Sequence, residues 1–178
     1  MQSSVFPCPR RLAAFVLAFA ILSCAPLARA AHGDPRPERT GILLAAFGTT
    51  VPKADAAYRN IQKKLEEAFP GVEVRMCYTS RIVRHKLASG KKPVRFDSPA
   101  EALAKMADEG FTRVAVQSLQ TIPGEEFHNL LETAKAFSGM PKGMDKVTVG
   151  WPLLATAEDV SRTAEALAAM APKERRPG

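Results

Sequence analysis

A short apolar run followed by a small polar turn limits the fold of this chain more than any other stretch. Ile42 to Ala46 are all apolar, as in a strand that is buried on both faces of a parallel sheet. The run breaks at Phe47-Gly48-Thr49-Thr50, and Pro52 fits the first turn of a following helix. In α/β folds, such turns lie at the carboxyl ends of the strands, where ligands bind.

The same strand, turn and helix pattern recurs three times further along the chain. The later strands are predicted over residues 72–78, 113–119 and 146–149. Helices are predicted over residues 54–69, 82–87, 99–109, 125–137 and 157–170. Because crossovers between parallel strands are right-handed, we expect one α/β domain over residues 41–171, a four-stranded parallel sheet with helices on both faces. The predicted strand order is flavodoxin-like, 2-1-3-4.

The first thirty residues are predicted to be a secretory signal peptide. Arg10-Arg11 precede an apolar run from Leu12 to Leu22, and Ala28-Arg29-Ala30 has the small-x-small pattern of a cleavage site. A membrane anchor is the first alternative, but the run is short for a span. A lipoprotein-like signal at Ile21-Leu-Ser-Cys24 is the second. We expect export to the periplasm, no membrane span, and a flexible lead-in over residues 31–40.

Charge and cysteine content exclude some classes of function. Without residues 1–30 the chain has 22 basic and 18 acidic residues, a net charge of +4. The aromatic residues are scattered and no basic stripe is interleaved with them, so no nucleic-acid partner is expected. Cys77 then remains alone, and inside an apolar strand it is predicted to be a core residue, not a nucleophile. The basic loop Ser89–Pro93 either attracts an acidic ligand or is simply solvated.

Four segments together resemble the anaerobic-type sirohydrochlorin cobaltochelatases, and most closely their exported, periplasmic branch. They are Phe47–Thr50, Tyr78–Arg81, Val116–His128 and Gly150–Leu154. The resemblance implies a metal chelatase of the lyase class, which inserts Co²⁺ (or Fe²⁺ in vitro) into sirohydrochlorin in anaerobic cobalamin and tetrapyrrole biosynthesis. It also implies a pair of similar α/β domains that enclose the macrocycle, of which this chain resembles the N-terminal half.

The resemblance places the catalytic groups of the family outside this sequence. In the family, a pair of histidines and a glutamate of the second domain hold the metal and accept pyrrole protons, and the first histidine lies in a Met-Gly-His-Gly segment. Imidazole suits both tasks. No Gly-His-Gly occurs here, and none of His32, His85 and His128 matches those ligands. We therefore expect no catalytic residue in this chain, and residues 172–178 are interpreted as a linker to an absent second domain.

The polar turns supply the candidate residues for the wall of a tetrapyrrole cleft. Arg81 and backbone amides could bind the carboxylates of sirohydrochlorin. For Thr49 and Ser118, hydrogen bonds that shape the turns are the alternative role. The predicted tetrapyrrole-binding residues are Gly48, Thr49, Thr50, Ser80, Arg81, Ser118 and Gln120.

His128 has a separate interpretation that also comes from the resemblance. The exported branch resembles haem-binding tetramers in which one such histidine is an axial ligand of the iron at a subunit interface. This implies haem b, a homo-oligomer and His128 as the axial ligand, whereas the alternative is an ordinary surface histidine. For the whole chain, the alternative functions are a periplasmic haem- or tetrapyrrole-binding module without catalysis, and an exported flavodoxin-like domain with no tetrapyrrole role.

Overall fold

A computed structural model of the chain describes residues 37–171. In chain order, these residues form β1 (Thr40–Ala46), α1 (Pro52–Ala68), β2 (Glu73–Tyr78), α2 (Arg81–Ala88), α3 (Pro99–Asp108), β3 (Arg113–Ser118), α4 (Glu125–Phe137), β4 (Lys146–Gly150) and α5 (Ala157–Met170). The predicted signal peptide, residues 31–36 of the lead-in and the predicted linker lie outside the described residues. Among residues 37–171, no helix is both long enough and apolar enough to cross a membrane.

The sheet has the predicted topology. Its strand order is β2-β1-β3-β4, and every pair of neighbours is parallel. The α/β fold predicted from the sequence is thus confirmed. The inner strand β1 has a neighbouring strand on each side and is buried on both faces of the sheet, which explains why it is apolar at successive positions. Leu43, Leu44, Ala45 and Ala46 are all fully buried.

The main core lies between one face of the sheet and the helices α3 and α4. α3 begins at the predicted residue, Pro99, after a capping box in which the Ser98 amide donates to Glu101 Oε2 at 2.7 Å and the Glu101 amide donates to Ser98 Oγ at 3.2 Å. Complete burial of one large apolar side chain contributes about 1.5–3 kcal/mol. The fully buried side chains of this face include Leu43, Leu103, Met106, Phe111, Val116 and Met144.

The opposite face of the sheet is covered unevenly. α1 lies beside β2, where Tyr58 contacts Tyr78 edge to face. Paired positions of parallel strands share a face, so Ala115 and Thr148 lie on the same face as Ile42. Both are exposed. α5 has no buried residue, and Leu167 is 63% exposed. Within the described residues, the β3–β4 side of this face therefore has little apolar cover.

Candidate functional site

The turns that follow the four strands meet along one edge of the sheet. We call this edge the carboxyl rim and define it as residues 47–51, 79–82, 119–122 and 151–154. Backbone hydrogen bonds join its turns: the Ser80 amide donates to Phe47 O at 3.1 Å, and the Leu153 amide donates to Gln120 O at 3.1 Å. These bonds join the turns in two pairs, and the Leu119 amide connects the pairs by donating to Ala45 O of β1 at 2.9 Å.

The β1 turn depends on a glycine that lies against an aromatic ring. Gly48 has φ +97° and is buried, and a Cβ at this position would meet Tyr78 Cδ2 at 2.5 Å. Only glycine adopts this conformation without strain. Thr49 Oγ1 accepts a hydrogen bond from the Val51 amide at 3.0 Å, so this hydroxyl shapes the turn. Thr50 is exposed on the rim.

The β2 turn places one polar side chain inside and one outside. Ser80 is buried and caps α2, because its Oγ accepts from the Val83 amide at 3.4 Å. Arg81 is exposed and makes no hydrogen bond or ion pair with another described residue. Thr79 Oγ1 is buried without a hydrogen-bond partner among the described residues. Burial raises the pKa of the neighbouring Cys77 thiol to about 12, so the thiol stays protonated and is a poor nucleophile.

The β3 turn is built around a pair of polar side chains. Ser118 is buried; its Oγ donates to Gln120 Oε1 at 2.6 Å and accepts from the Gln120 amide at 3.3 Å. The amide nitrogen Nε2 of Gln120 is buried and has no partner among the described residues. A buried donor without a partner costs about 1–3 kcal/mol. A bound ligand or a neighbouring segment would remove that cost.

The structure distributes the predicted binding residues over three hollows of the rim instead of one pocket. The first hollow is lined by Thr49, Thr50, Val51, Pro52, Asp55, Arg59, Leu87, Val94 and Phe96. The second contains Gln120, with Phe47, Ile122 and Phe127 among its other residues. The third contains Arg81, Ile82, His85, Lys86 and Ser89. Gly48, Ser80 and Ser118 lie buried behind these surfaces and set the backbone of the turns.

Several exposed apolar side chains lie along the rim. The sequence analysis did not include them among the candidate site residues. Large apolar side chains that gather on one surface are typical of binding sites. Their positions in the sequence could have identified them, because each lies within five residues of the last residue of a strand. They are Phe47, Val51, Ile82, Ile122, Trp151 and Leu153, between 47% and 68% exposed.

The sequence analysis also did not identify the hydrogen-bonded group that Asp55, Arg59 and Tyr78 form beneath the rim. Tyr78 Oη donates to Asp55 Oδ1 at 2.7 Å, Arg59 Nε donates to Asp55 Oδ2 at 2.6 Å, and the Tyr78 ring stacks on Phe96 with centroids 3.9 Å apart. Burial raises the pKa of Asp55, but the hydrogen bonds from Tyr78 and Arg59 outweigh it and the net pKa is lowered. Burial and the bond to Asp55 both raise the pKa of Tyr78. At neutral pH this group therefore holds α1 against β2 without exchanging protons.

His128 lies in the first turn of α4 with its ring exposed. Its Nδ1 is 2.8 Å from Gly124 O. A carbonyl oxygen can only accept, so Nδ1 carries a proton, and in the neutral imidazole Nε2 then keeps a free lone pair. Histidines that bind metals are commonly oriented in this way. Within residues 37–171, no group of three or more His, Cys, Asp or Glu side chains is arranged to hold a metal ion.

Comparison with known proteins decides the family. A family model described as Cobalt chelatase (CbiK) matches residues 40–177. The chain belongs to this family. The predicted resemblance to the cobaltochelatases is therefore confirmed, and the carboxyl rim is part of a CbiK-type chelatase domain.

Two curated relatives of this CbiK-family chain bear names that state an activity. The chain is 43% identical over 139 residues to "Sirohydrochlorin cobaltochelatase CbiKC" of Nitratidesulfovibrio vulgaris strain Hildenborough, which covers 78% of this chain and 48% of that protein. It is 27% identical over 140 residues to "Sirohydrochlorin cobaltochelatase" of Salmonella typhimurium strain LT2, covering 77% and 51%. The chain spans about half the length of the curated relatives it matches.

Proposed function

We propose that this CbiK-family chain forms one wall of a cleft that binds sirohydrochlorin while Co²⁺ (or Fe²⁺) is inserted. The observation that supports it best is the row of exposed apolar side chains on the carboxyl rim. A flat macrocycle with carboxylate arms needs an apolar surface for its ring and donors for its arms. The rim has both, because Arg81 is exposed beside the apolar side chains and Gln120 lines the hollow that contains Phe47 and Ile122. Family membership favours this function over a binding module without catalysis.

The candidate residues divide into two groups under this proposal. Thr50, Arg81 and Gln120 bind the macrocycle, Arg81 by a charge-assisted hydrogen bond to a carboxylate arm. Gly48, Thr49, Ser80 and Ser118 hold the turns in the conformation that presents those groups. We assign no catalytic residue among the 178 residues. The incoming Co²⁺ is treated as a substrate.

The test is a metal-insertion assay with the purified chain, sirohydrochlorin and Co²⁺, followed by absorbance. We expect a spectral change when sirohydrochlorin is added, and no formation of cobalt-sirohydrochlorin above the rate without protein. Formation well above that rate would show that this chain has catalytic groups of its own. No spectral change with sirohydrochlorin would contradict the proposed binding role.

Two arginine variants, one on the rim and one far from it, test the location of the site. Arg81→Gln removes the cation of the rim, and we expect it to weaken sirohydrochlorin binding up to about five-fold, as for one exposed ion pair. The matched control is Arg113→Gln, because Arg113 is also exposed but begins β3 at the opposite edge of the sheet. Equal weakening by the control, or none by Arg81→Gln, would place the site elsewhere.

We further propose that His128 is an axial ligand of haem b in a homo-oligomer, a tetramer by resemblance to the exported branch. The orientation of the ring supports this role, since Nδ1 donates to Gly124 O and leaves Nε2 for the iron. The test is a haem titration followed by the Soret band, with native mass spectrometry of the product. We expect His128→Ala to abolish the shift and His85→Ala, another exposed histidine, to preserve it. A shift that survives His128→Ala would contradict the proposal.

We also propose that the chain is exported to the periplasm by residues 1–30. The apolar run after Arg10-Arg11 and the Ala28-Arg29-Ala30 pattern support cleavage after Ala30. The test is the mass of the protein recovered from fractionated cells. A periplasmic product that begins at Ala31 is expected. A cytoplasmic product that keeps residues 1–30 would contradict export.

A further inference from the structure

A block of positive charge without ion pairs among the described residues adjoins the carboxyl rim. Residues 81–95 contain six Lys or Arg and no Asp or Glu. We call their surface the basic face. Its cations are Arg81, Arg84, Lys86, Lys91, Lys92 and Arg95, of which all but Arg84 are exposed. None of the six forms an ion pair with a described carboxylate, whereas Arg59, Lys105 and Arg162 do.

Charge is therefore segregated along the chain. Residues 37–171 contain 18 Lys or Arg and 16 Asp or Glu. Outside the basic face, the same residues contain 12 Lys or Arg and 16 Asp or Glu. The domain thus presents a positive surface on an otherwise negative body. Such an arrangement attracts anions to one place.

The basic face is concave because the loop after α2 folds back on that helix. Arg84 Nη1 donates to Tyr78 O at 2.5 Å and to Thr79 O at 2.9 Å, which fixes α2 to the end of β2. The Val94 amide donates to Leu87 O at 3.1 Å and closes the loop. Two adjoining hollows result. They share His85 and Ser89, and the larger has a volume of about 550 Å³.

The acidic side chains nearest to this surface have other partners. Glu101 lines the larger hollow, and its Oε2 accepts from the Ser98 amide at 2.7 Å in the capping box. The hydrogen bonds from Ser98 are the main cause that lowers the pKa of Glu101, and the charges of Arg84 and Arg95 lower that pKa further without forming an ion pair. Asp97 binds Lys105 Nζ through both carboxylate oxygens, at 2.6 Å and 2.7 Å. The five exposed cations of the basic face form no ion pair with a described carboxylate and are consequently left for an anion from outside the described residues.

The basic face is continuous with the rim. Leu87 and Val94, both within residues 81–95, line the same hollow as Thr49 and Thr50. Arg81 belongs to both surfaces. A flat ligand on the rim would therefore extend its peripheral groups over α2 and its loop.

We propose that the basic face binds the carboxylate arms of an acidic tetrapyrrole bound on the rim and steers that ligand to it. This inference rests on the proposed function. A nucleic acid fits the same charges less well, because Phe96 is stacked on Tyr78 and is not available to stack on a base. The concave shape favours a compact polyanion over a flat lipid surface.

Two adjacent lysine pairs give a matched test on the full chain. Lys91→Gln/Lys92→Gln removes two exposed cations from the basic face, and Lys63→Gln/Lys64→Gln removes two exposed cations from α1. The probes are uroporphyrin, a porphyrin rich in carboxylate arms, and mesoporphyrin, which has fewer. For uroporphyrin at low salt, we expect the first variant to bind roughly 2- to 30-fold more weakly than wild type, as for two exposed ion pairs. The α1 variant and mesoporphyrin should show little change.

The salt dependence of uroporphyrin binding gives a second measurement. If Lys91 and Lys92 had only a structural role, their substitution would not change this salt dependence. The Debye length falls from about 30 Å at 0.01 M to about 10 Å at 0.1 M, so the difference between the variants should shrink over that range. Equal uroporphyrin affinities for the two variants would contradict the proposal that the basic face binds carboxylate arms. They would leave the proposed function of the rim intact. Failure of wild type to bind either porphyrin would overturn both. Lysine-dependent binding to phosphatidylglycerol vesicles, without any effect on uroporphyrin, would identify a membrane-docking face and also overturn the inference.

Discussion

At the scale of single residues, Gly48 connects the strand to the rim through a conformation that other residues rarely adopt. Its φ is +97°, and a Cβ would meet the Tyr78 ring at 2.5 Å. We predict that Gly48→Ala lowers the free energy of unfolding by roughly 2–5 kcal/mol, because strain and overpacking add. Gly71→Ala is the control, since Gly71 has φ +85° but nothing within 4 Å of its Cβ position. Urea unfolding checks both. Equal losses would show that the Tyr78 ring is not the cause.

The Asp55–Tyr78 hydrogen bond predicts a pH-dependent stability. The folded-state pKa of Asp55 is lowered from 3.8, so its contribution is present above the unfolded pKa and is lost as pH falls through the folded pKa. Tyr78→Phe removes the donor, and we expect it to cost about 1–2 kcal/mol at neutral pH. The difference from wild type should shrink below pH 3.8. Tyr58→Phe is the control, because Tyr58 keeps its ring contact with Tyr78 in this variant and the donor to Asp55 is the Tyr78 hydroxyl. A loss that is the same at all pH values would contradict this role for Asp55.

At the scale of elements, two helices share a capping box but differ in what they pack against. Ser98 and Glu101 cap α3, and Thr156 and Asp159 cap α5. α3 buries Ala102, Leu103 and Met106, whereas α5 buries no residue. We predict that Ser98→Ala lowers the global free energy of unfolding by about 1 kcal/mol.

Thr156→Ala should instead fray α5 and leave the global unfolding midpoint unchanged. Amide hydrogen exchange in α5 and urea unfolding by circular dichroism separate the two effects. The same midpoint shift for both variants would mean that α5 is part of the cooperative core. It would also contradict the exposure of Leu167 and Met170 in the described fold.

The elements themselves were largely predictable, because their signals are local. Ser98-Pro99-Ala100-Glu101 marks the start of α3, and the predicted helix over residues 125–137 has the ends that α4 shows. The residues that pack against each helix could not be predicted from the sequence. Periodicity indicates which side of α5 is apolar, but Val160 and Leu167 stay exposed on it.

At the scale of the whole molecule, the rim was only partly predictable from sequence. The order of the strands places the turns along one edge, so Thr50, Arg81 and Gln120 were found from sequence and lie on that edge. Their division among three hollows depends on how α2 and its loop fold back. That packing comes from contacts such as Val94 to Leu87 and Phe96 on Tyr78, which no local pattern encodes.

Contacts between distant residues also explain what sequence reasoning missed near the other edge of the sheet. Arg39 places its guanidinium 3.9 Å from the Phe111 ring centroid and donates to Glu73 at 3.1 Å and to the Glu109 carbonyl at 2.6 Å. Arg75 also pairs with Glu109. These residues are far apart in sequence, so their association depends on the completed sheet.

The central claim is that the carboxyl rim binds the macrocycle, and the most direct measurement is a titration of the isotope-labelled chain with sirohydrochlorin, followed by backbone amide NMR shifts. We predict shifts concentrated at residues 47–51, 79–82, 119–122 and 151–154, extending into residues 83–95. At the opposite edge of the sheet, where the strands begin (the amino edge, around Arg39 and Arg113), the backbone amide shifts should stay unchanged. No shifts at saturating sirohydrochlorin, or shifts confined to α5 and the amino edge, would contradict the account.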